Sequence, residues 1–433
     1  MPPSPETEAS SSAPAAPPAP FVRILHFADA HLGVETYGKF NPETGLNTRL
    51  EDFTVALNAA IGQALDAQVD LAVFAGDAYK ARDPNQTHQR AFAGSLKRLT
   101  DAGVPVVLLV GNHDIPNTRG KAHALEIYGL LGGAGVTILS APDVATLQTR
   151  RGTVLVAGMP YLTRSRVIAK EEVRDKTVED VAHHIRDAYA KYIAELAVQV
   201  AEQPDHIAVL TGHFTITDAR IGTQNFLLNP AEPQIPVSAV ALPQFDYVAM
   251  GHVHKHQEMN RGAQPPVVYC GSIDRIDFGE RVEDKGFVIA DVQKRNSIYK
   301  FVPLDNRRFL DLHVDCGDGD DPTRVLLEEI ARHPIARSVV KLSYKVPPDK
   351  AALVRTDEIR KALGAAHLTV ALSRELPPAE ALVRSQVLNE AVTPEKALAT
   401  YIDLQPRLAP RKNELLEAAR PLLDLLEQEE ALR

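Results

Sequence analysis

Short, continuous apolar runs rich in β-branched residues alternate along the chain with stretches in which apolar positions return every three or four residues. Runs of the first kind suit strands buried on both faces, and stretches of the second kind suit amphipathic helices. The central run, Val106–Val110, leads straight into Gly111-Asn112-His113-Asp114. Two others repeat the design: Val69–Ala75 leads into Gly76-Asp77, and Phe21–Ala28 into Asp29-Ala30-His31. In open α/β sheets ligands sit outside the carboxyl ends of the strands, so these polar tips should face a common crevice.

Between the first two strands, Leu50, Phe53, Leu57, Ile61 and Leu65 recur at helical spacing, which makes a βαβ unit. A second helix is expected from Asp83-Pro84, with Asp as N-cap and Pro in the first turn, carrying Phe92, Leu96 and Leu99 on one stripe. Lys121–Leu131 reads as a helix ended by Gly132-Gly133, and Val136–Leu139 and Val154–Ala157 as strands. A long helix is expected over Val178–Val200, where the adjacent His183 and His184 point in different directions and suit solvent rather than a metal. Ile207–Leu210 runs into Thr211-Gly212-His213, and Phe245–Met250 into Gly251-His252-Val253-His254. Val267–Tyr269, Gly286–Asp291 and Ile298–Val302 read as antiparallel strands.

The expected organisation is a tail over 1–20, an α/β domain over 21–303, a small α+β domain over 304–377 and a helical segment over 378–433. The tail is Pro, Ala and Ser with little that can pack, so it is expected to be disordered. With 433 residues and 45% hydrophobic content, the chain can bury a sizeable core without staples. Its two cysteines, Cys270 and Cys316, then read as buried thiols in a reducing compartment. Neither a bilayer-length apolar run nor a leader pattern is present, so a cytoplasmic location is expected. The net charge of −9 argues against a uniformly basic nucleic-acid binder, but a local cationic groove or bound metal can still receive phosphates.

The chemistry gathers at the strand ends: Asp29-x-His31, Gly76-Asp77, Gly111-Asn112-His113-Asp114, Gly212-His213 and Gly251-His252-x-His254. Imidazole with carboxylate suits Mn, Fe or Zn, and an aspartate can bridge two ions in a phosphoester site. Any one of these motifs is an ordinary turn; five in this order point to a metal centre.

In these motifs the chain resembles the calcineurin-like metallophosphoesterases. Within them it is similar to the SbcD nucleases, through Leu25-His26-Phe27-Ala28-Asp29-Ala30-His31-Leu32-Gly33, Gly158-Met159-Pro160-Tyr161 and the run from Tyr269-Cys270-Gly271-Ser272 to Phe278-Gly279-Glu280. The resemblance implies a β-sandwich flanked by helices, with the α+β domain as a cap that helps bind DNA. It further implies two divalent ions, Mn²⁺ by preference: one on Asp29, His31 and His254, the other on Asn112, His213 and His252, with Asp77 bridging. His113 matches the catalytic histidine, a general acid and not a ligand. Asp114 either orients that loop or merely caps a turn.

One position departs from the pattern. Relatives often place Asp or His three residues after the bridging aspartate, where it supports the catalytic histidine; this chain has Lys80, whose side chain cannot accept a hydrogen bond. Lys80 and Arg82 are candidate phosphate contacts, with a salt bridge from Lys80 to Asp83 as the plainer alternative. The leucine-rich face of Leu415, Leu416, Ala419, Leu422, Leu423 and Leu426 resembles a segment that docks on the coiled coil of the ABC-type ATPase SbcC. The resemblance also implies a homodimer, through the Phe92 helix and the Tyr128–Leu131 segment, within a heterotetramer; core packing explains that stripe equally well. The expected activity is a manganese-dependent DNA nuclease, exonuclease and endonuclease. The alternatives are a phosphodiesterase for small substrates such as cyclic nucleotides, and a DNA-end scaffold that does not cut.

Overall fold

A computed structural model describes residues 21–116, 121–131, 135–163, 167, 177–220, 233–317, 319–375, 394–403 and 408–420. The expected tail over 1–20, the Gly132-Gly133 stop and Leu422, Leu423 and Leu426 lie outside them.

The first compact unit spans residues up to Leu310, together with Arg337–Val339. Its elements run β1 Val22–Phe27, β2 Phe40–Asn41, β3 Leu46–Asn47, α1 Thr48–Asp66, β4 Leu71–Phe74, α2 Gln86–Asp101, β5 Val106–Leu109, α3 Glu126–Leu131 and β6 Val136–Leu139. They continue with β7 Asp143–Thr149, β8 Gly152–Met159, α4 Val178–Ala201, β9 Ile207–His213, β10 Tyr247–Gly251, β11 Gln257–Glu258, β12 Val267–Tyr269, β13 Gly286–Val292 and β14 Ile298–Pro303.

Two six-stranded sheets result, ordered β14-β13-β1-β4-β5-β6 and β11-β12-β10-β9-β8-β7. Their inner faces share one apolar layer, in which Ile24, Val73, Val107 and Leu109 of the first sheet meet Val156, Val209, Ala249 and Val268 of the second. Outside the first sheet, α1 and α2 contribute Phe53, Leu57, Ile61, Phe92, Leu96 and Leu99 to a second core. The buried face of α4, with Ile185, Tyr189, Ile193 and Leu196, covers the outside of the second sheet. This is an α/β sandwich flanked by helices. Each fully buried Leu, Ile or Phe contributes about 1.5–3 kcal/mol, which explains why the central strands read as unbroken apolar runs.

Parallel pairing of β1 with β4, β4 with β5, and β9 with β10 brings the carboxyl ends of these strands to one edge of the sandwich. Helix α1 begins where the Asn47 side chain accepts from the Arg49 amide, and α4 where Thr177 and Asp180 form a reciprocal capping box.

Several expectations change. Helix α2 is capped by Asn85, which accepts from the His88 amide at 2.9 Å, while the Asp83 carboxylate pairs with Lys121 at 2.6 Å. The cap is therefore Asn85 rather than Asp83, and the ion pair of Asp83 in this structure is with Lys121 rather than Lys80. The helix expected over Lys121–Leu131 begins only at Glu126. Strand β12 pairs in parallel with β10 and antiparallel with β11, because a crossover through 252–266 returns the chain in the direction of β10. Strand β7, antiparallel to β8, has no counterpart in the apolar pattern because it is an edge strand that buries little. Phe92, Leu96 and Leu99 are consumed by the protein's own core, where Phe92 packs edge-on against Phe74, Tyr79 and Tyr128. Among the described side chains of α3, Ile127 and Leu130 are exposed.

The second compact unit takes up residues 311–336 and those from 340 onward. It is built on a three-stranded sheet of β15 Phe309–Asp315, β16 Val339–Lys345 and β17 Leu368–Arg374, with helices α5 Pro322–Ala331, α6 Thr356–Ala362 and α7 Pro394–Asp403 and a final helix over 412–420. Both cysteines are buried free thiols.

Candidate metal centre

The loops that follow β1 and β4 are zipped together past the ends of the strands. Asp29 donates its amide to the Gly76 carbonyl at 2.9 Å, His31 to Asp77 at 3.1 Å, and Leu32 to Ala78 at 2.9 Å. Lys80 returns its own amide to Leu32 at 3.0 Å. Along this track Asp29, His31 and Asp77 adopt left-handed backbone angles, with φ of 52°, 40° and 61°, and His252 does so at 87°. Such angles cost about 1–3 kcal/mol each in non-glycine residues and persist where the surroundings enforce them, typically at functional sites. Here they turn neighbouring side chains toward one point. Gly76 and Gly111 leave the space this needs: a Cβ on Gly76 would stand 2.4 Å from His213 Nδ1, and one on Gly111 2.2 Å from Asp77 Oδ1.

Asp114 staples the second and third strand ends. Its buried carboxylate accepts from the amides of Asp77 at 3.0 Å, Ala78 at 3.1 Å and Gly111 at 3.0 Å. Burial and the neighbouring Asp77 raise its pKa to about 7. Of the two roles the sequence left open for Asp114, loop orientation is the one this geometry supports.

The structure brings Asp29, His31, Asp77, Asn112, His213, His252 and His254 together, with His113 beside them. His31 Nε2 lies 3.0 Å from His254 Nε2, 3.7 Å from Asp77 Oδ2 and 3.9 Å from Asp29 Oδ1. On the other side, Asn112 Oδ1 lies 3.0 Å from His213 Nε2 and 3.1 Å from His252 Nδ1, and Asp77 Oδ2 is 3.3 Å from His213 Nε2. The His113 ring meets His31 edge-on at 4.9 Å, and its backbone amide donates to Asp77 Oδ1 at 2.8 Å. The side chains of Lys80 and Arg82 are exposed; the Lys80 carbonyl meets the His113 ring, and the Lys80 charge adds to burial in depressing the pKa of His31.

The donor set fits metal. His213 donates Nδ1–H to the Ala75 carbonyl at 2.7 Å, and His254 donates Nδ1–H to Glu280 at 2.8 Å, so Nε2 is the nitrogen each ring turns inward. Those nitrogens face the Asn112 oxygen and the His31 ring at hydrogen-bonding distance, a spacing that a bound cation would also satisfy. Three groups among the described residues are spaced to hold a cation: Asp29, His31 and His254; Asp29, Asp77 and His213; and His31, Asp77 and His113. Without metal a proton does part of this work. Burial alone would depress His213, but the Asp77 carboxylate outweighs it and raises the pKa to about 9. Burial would raise Asp77, but His213 holds it well below the ordinary carboxylate value. Burial pushes Asp29 up and His31 well down. Nitrogen and oxygen donors in this mixture suit Mn, Fe or Zn.

Glu280, half of the support of His254, carries no strand-end signal. It comes from the loop after β12, at the end of the long run in which the chain resembles the SbcD nucleases. Burial would raise its pKa, but Lys285 and His254 hold the carboxyl below its ordinary value.

The chain belongs to the calcineurin-like phosphoesterase family, whose sequence model matches residues 22–256. It is 28% identical over 285 residues to the SbcD subunit of the nuclease SbcCD of Bacillus subtilis, covering 63% of this chain and 66% of that protein. To the same subunit of Escherichia coli it is 28% identical over 274 residues, covering 60% and 62%. To the DNA double-strand break repair protein Mre11 of Haloferax volcanii it is 29% identical over 306 residues, covering 70% and 57%. The match thus spans less than two thirds of the length of each of these relatives.

Proposed function

We propose that this chain is a dinuclear-metal DNA nuclease, the SbcD component of an SbcCD-type double-strand-break processing complex. The observation that carries the proposal is the convergence of Asp29, His31, Asp77, Asn112, His213, His252 and His254 on one edge of the sandwich, with His113 alongside. Similarity to proteins named as SbcCD nuclease subunits and as Mre11 supports DNA as the substrate.

In this reading Asp29, His31 and His254 hold one ion, Asn112, His213 and His252 the other, and Asp77 is shared. Mn²⁺ is the ion we favour. When bound, such a pair supplies Lewis-acid polarisation of the phosphodiester and activation of the attacking water. The protein's part is orientation and proton transfer. His113, directed by the Lys80 carbonyl, protonates the departing sugar oxygen from Nε2. A general acid of this kind contributes about 10²–10⁴ in rate. Lys80 and Arg82 at the rim receive the phosphates that flank the scissile bond, and the second compact unit adds further DNA contacts.

The same reading gives the chain a homodimer contact at the Tyr128–Leu131 segment, where Leu130 is exposed, and an SbcC-type ATPase partner in a heterotetramer. Leu415, Leu416 and Ala419 are half-buried in the final described helix and begin the docking face. No helix among the described residues is long and apolar enough to cross a membrane, and a cytoplasmic site of action follows from a DNA substrate.

The test is cleavage of duplex DNA across a Mn²⁺ titration by the wild type and Asp77→Ala. Cleavage should follow Mn²⁺ in the wild type and vanish in the variant; equal rates would overturn the proposal. For the partner, a chain ending at Ala409 should keep nuclease activity yet fail to co-purify with SbcC, and retention of full binding would move the docking site elsewhere.

A further inference from the structure

Lys285 is 1% exposed, immediately before β13, and Glu280 is 3% exposed in the loop that precedes it. A lysine buried this deeply needs a partner for each ammonium hydrogen, and Lys285 has them: Glu283 Oε2 at 2.8 Å, Glu280 Oε2 at 3.0 Å and the backbone carbonyl of His254 at 2.9 Å. Glu280 divides its oxygens. Oε2 accepts from Lys285 and from the Ile276 amide at 2.9 Å, and Oε1 accepts from His254 Nδ1 at 2.8 Å. One histidine is therefore gripped twice by the same ion pair, at its ring through the carboxylate and at its peptide through the ammonium.

We propose that Glu280 and Lys285 are a positioning pair for His254: they fix the tautomer in which Nδ1 carries the proton and bare Nε2 faces the metal centre. This rests on the reading of His254 as a metal ligand. An ion pair that served only to fill the core would have no need to close on both ends of one residue. Carboxylates that hold the remote nitrogen of a metal-bound histidine also raise its basicity, and their loss typically costs about 10–100-fold in metal affinity.

Glu280→Gln tests the pair sharply. Two donors, the Lys285 ammonium and the Ile276 amide, converge where Oε2 stands, so the amide oxygen of the variant must take that place. Its NH₂ then faces His254 Nδ1 and forces the proton onto Nε2, where the ion should bind. Mn²⁺ titrations of the full chain, followed by electron paramagnetic resonance, should show two binding events in the wild type. In Glu280→Gln one event should weaken about 10–100-fold and the other should stay unchanged. Independently, ¹⁵N-histidine spectra of the metal-free wild type should place the His254 proton on Nδ1, a measurement that decides the matter even if the variant does not fold. Unchanged affinity for both ions in Glu280→Gln, or a proton on Nε2 in the wild type, overturns the proposal. A wild type that fails to bind two ions overturns the underlying metal reading along with it.

Discussion

The Nδ1 of His113 lies 3.0 Å from the backbone carbonyl oxygen of Lys80. A carbonyl only accepts, so Nδ1 carries a proton. The peptide that orients the ring is itself held, through the Lys80 amide, by Leu32. A lysine at this position therefore does not deprive His113 of support, because the main chain supplies the acceptor that a carboxylate or imidazole side chain would otherwise present.

Lys80→Ala should accordingly leave turnover at saturating DNA within about threefold of the wild type, since the carbonyl remains, whereas His113→Gln should lose about 10² or more while keeping its metals. As a phosphate contact, Lys80 should contribute about one unit to the slope of log affinity against log salt, measured in Ca²⁺. A collapse of turnover in Lys80→Ala would show that the side chain, not the peptide, directs His113.

On the proposed assignment Asp77 is shared by the two ions. It stands 3.7 Å from His31 and 3.3 Å from His213, whereas His31 adjoins His254. After dialysis against trace Mn²⁺, Asp77→Ala should retain less metal than His31→Ala, by mass spectrometry of the bound ion. Equal and undiminished content in both would refute the assignment.

The pairing of Asp77 with His213 makes metal uptake pH-dependent. His213 has its pKa raised to about 9 in the folded, metal-free protein, against about 6.5 unfolded. The stability this group contributes is fully present below about pH 6.5 and is lost as pH rises through about 9. The melting temperature of the metal-free protein should fall over that window. Metal needs the neutral ring, so binding at pH 7 should release about one proton from His213 and fewer at pH 10. Calorimetry in buffers of different ionisation enthalpy reads this directly, and an absence of proton release at pH 7 would contradict it.

How much of the fold and the site is legible in the sequence depends on what each residue does. Strands β1, β4, β5, β9 and β10 are buried on both faces and read as apolar runs, so the residues at their ends align from the hydrophobic pattern alone. Strand β7, at a sheet edge, offers no such run. Asp83-Pro84 and Asn85-Gln86 are both acceptable helix starts by residue type, and only the structure shows that Asn85 caps the helix while Asp83 pairs with Lys121. Glu280 and Lys285 lie beyond the reach of periodicity because their partners, His254 and Ile276, are set by the folded loop.

Arg49 is another residue of that kind. Wholly buried, it pairs with Asp52 at 2.9 Å and Asp274 at 3.3 Å, donates to the Arg275 carbonyl and lies over the Phe53 ring at 4.7 Å. It thus ties α1 to the loop that carries Glu280. Removing one partner of a buried ion pair costs about 3–5 kcal/mol, so Arg49→Ala should destabilise the protein by that amount in denaturant unfolding. A loss below about 1 kcal/mol would mean that Asp274 finds another partner.

The central claim is that the converged strand ends cut DNA. The direct measurement incubates the purified chain and Mn²⁺ with end-labelled duplex DNA and with cyclic nucleotides, side by side, with His113→Gln as the control. DNA cleavage should depend on Mn²⁺, fall at least about 10²-fold in the variant and far exceed any turnover of the small substrates. Hydrolysis confined to the cyclic nucleotides would contradict it.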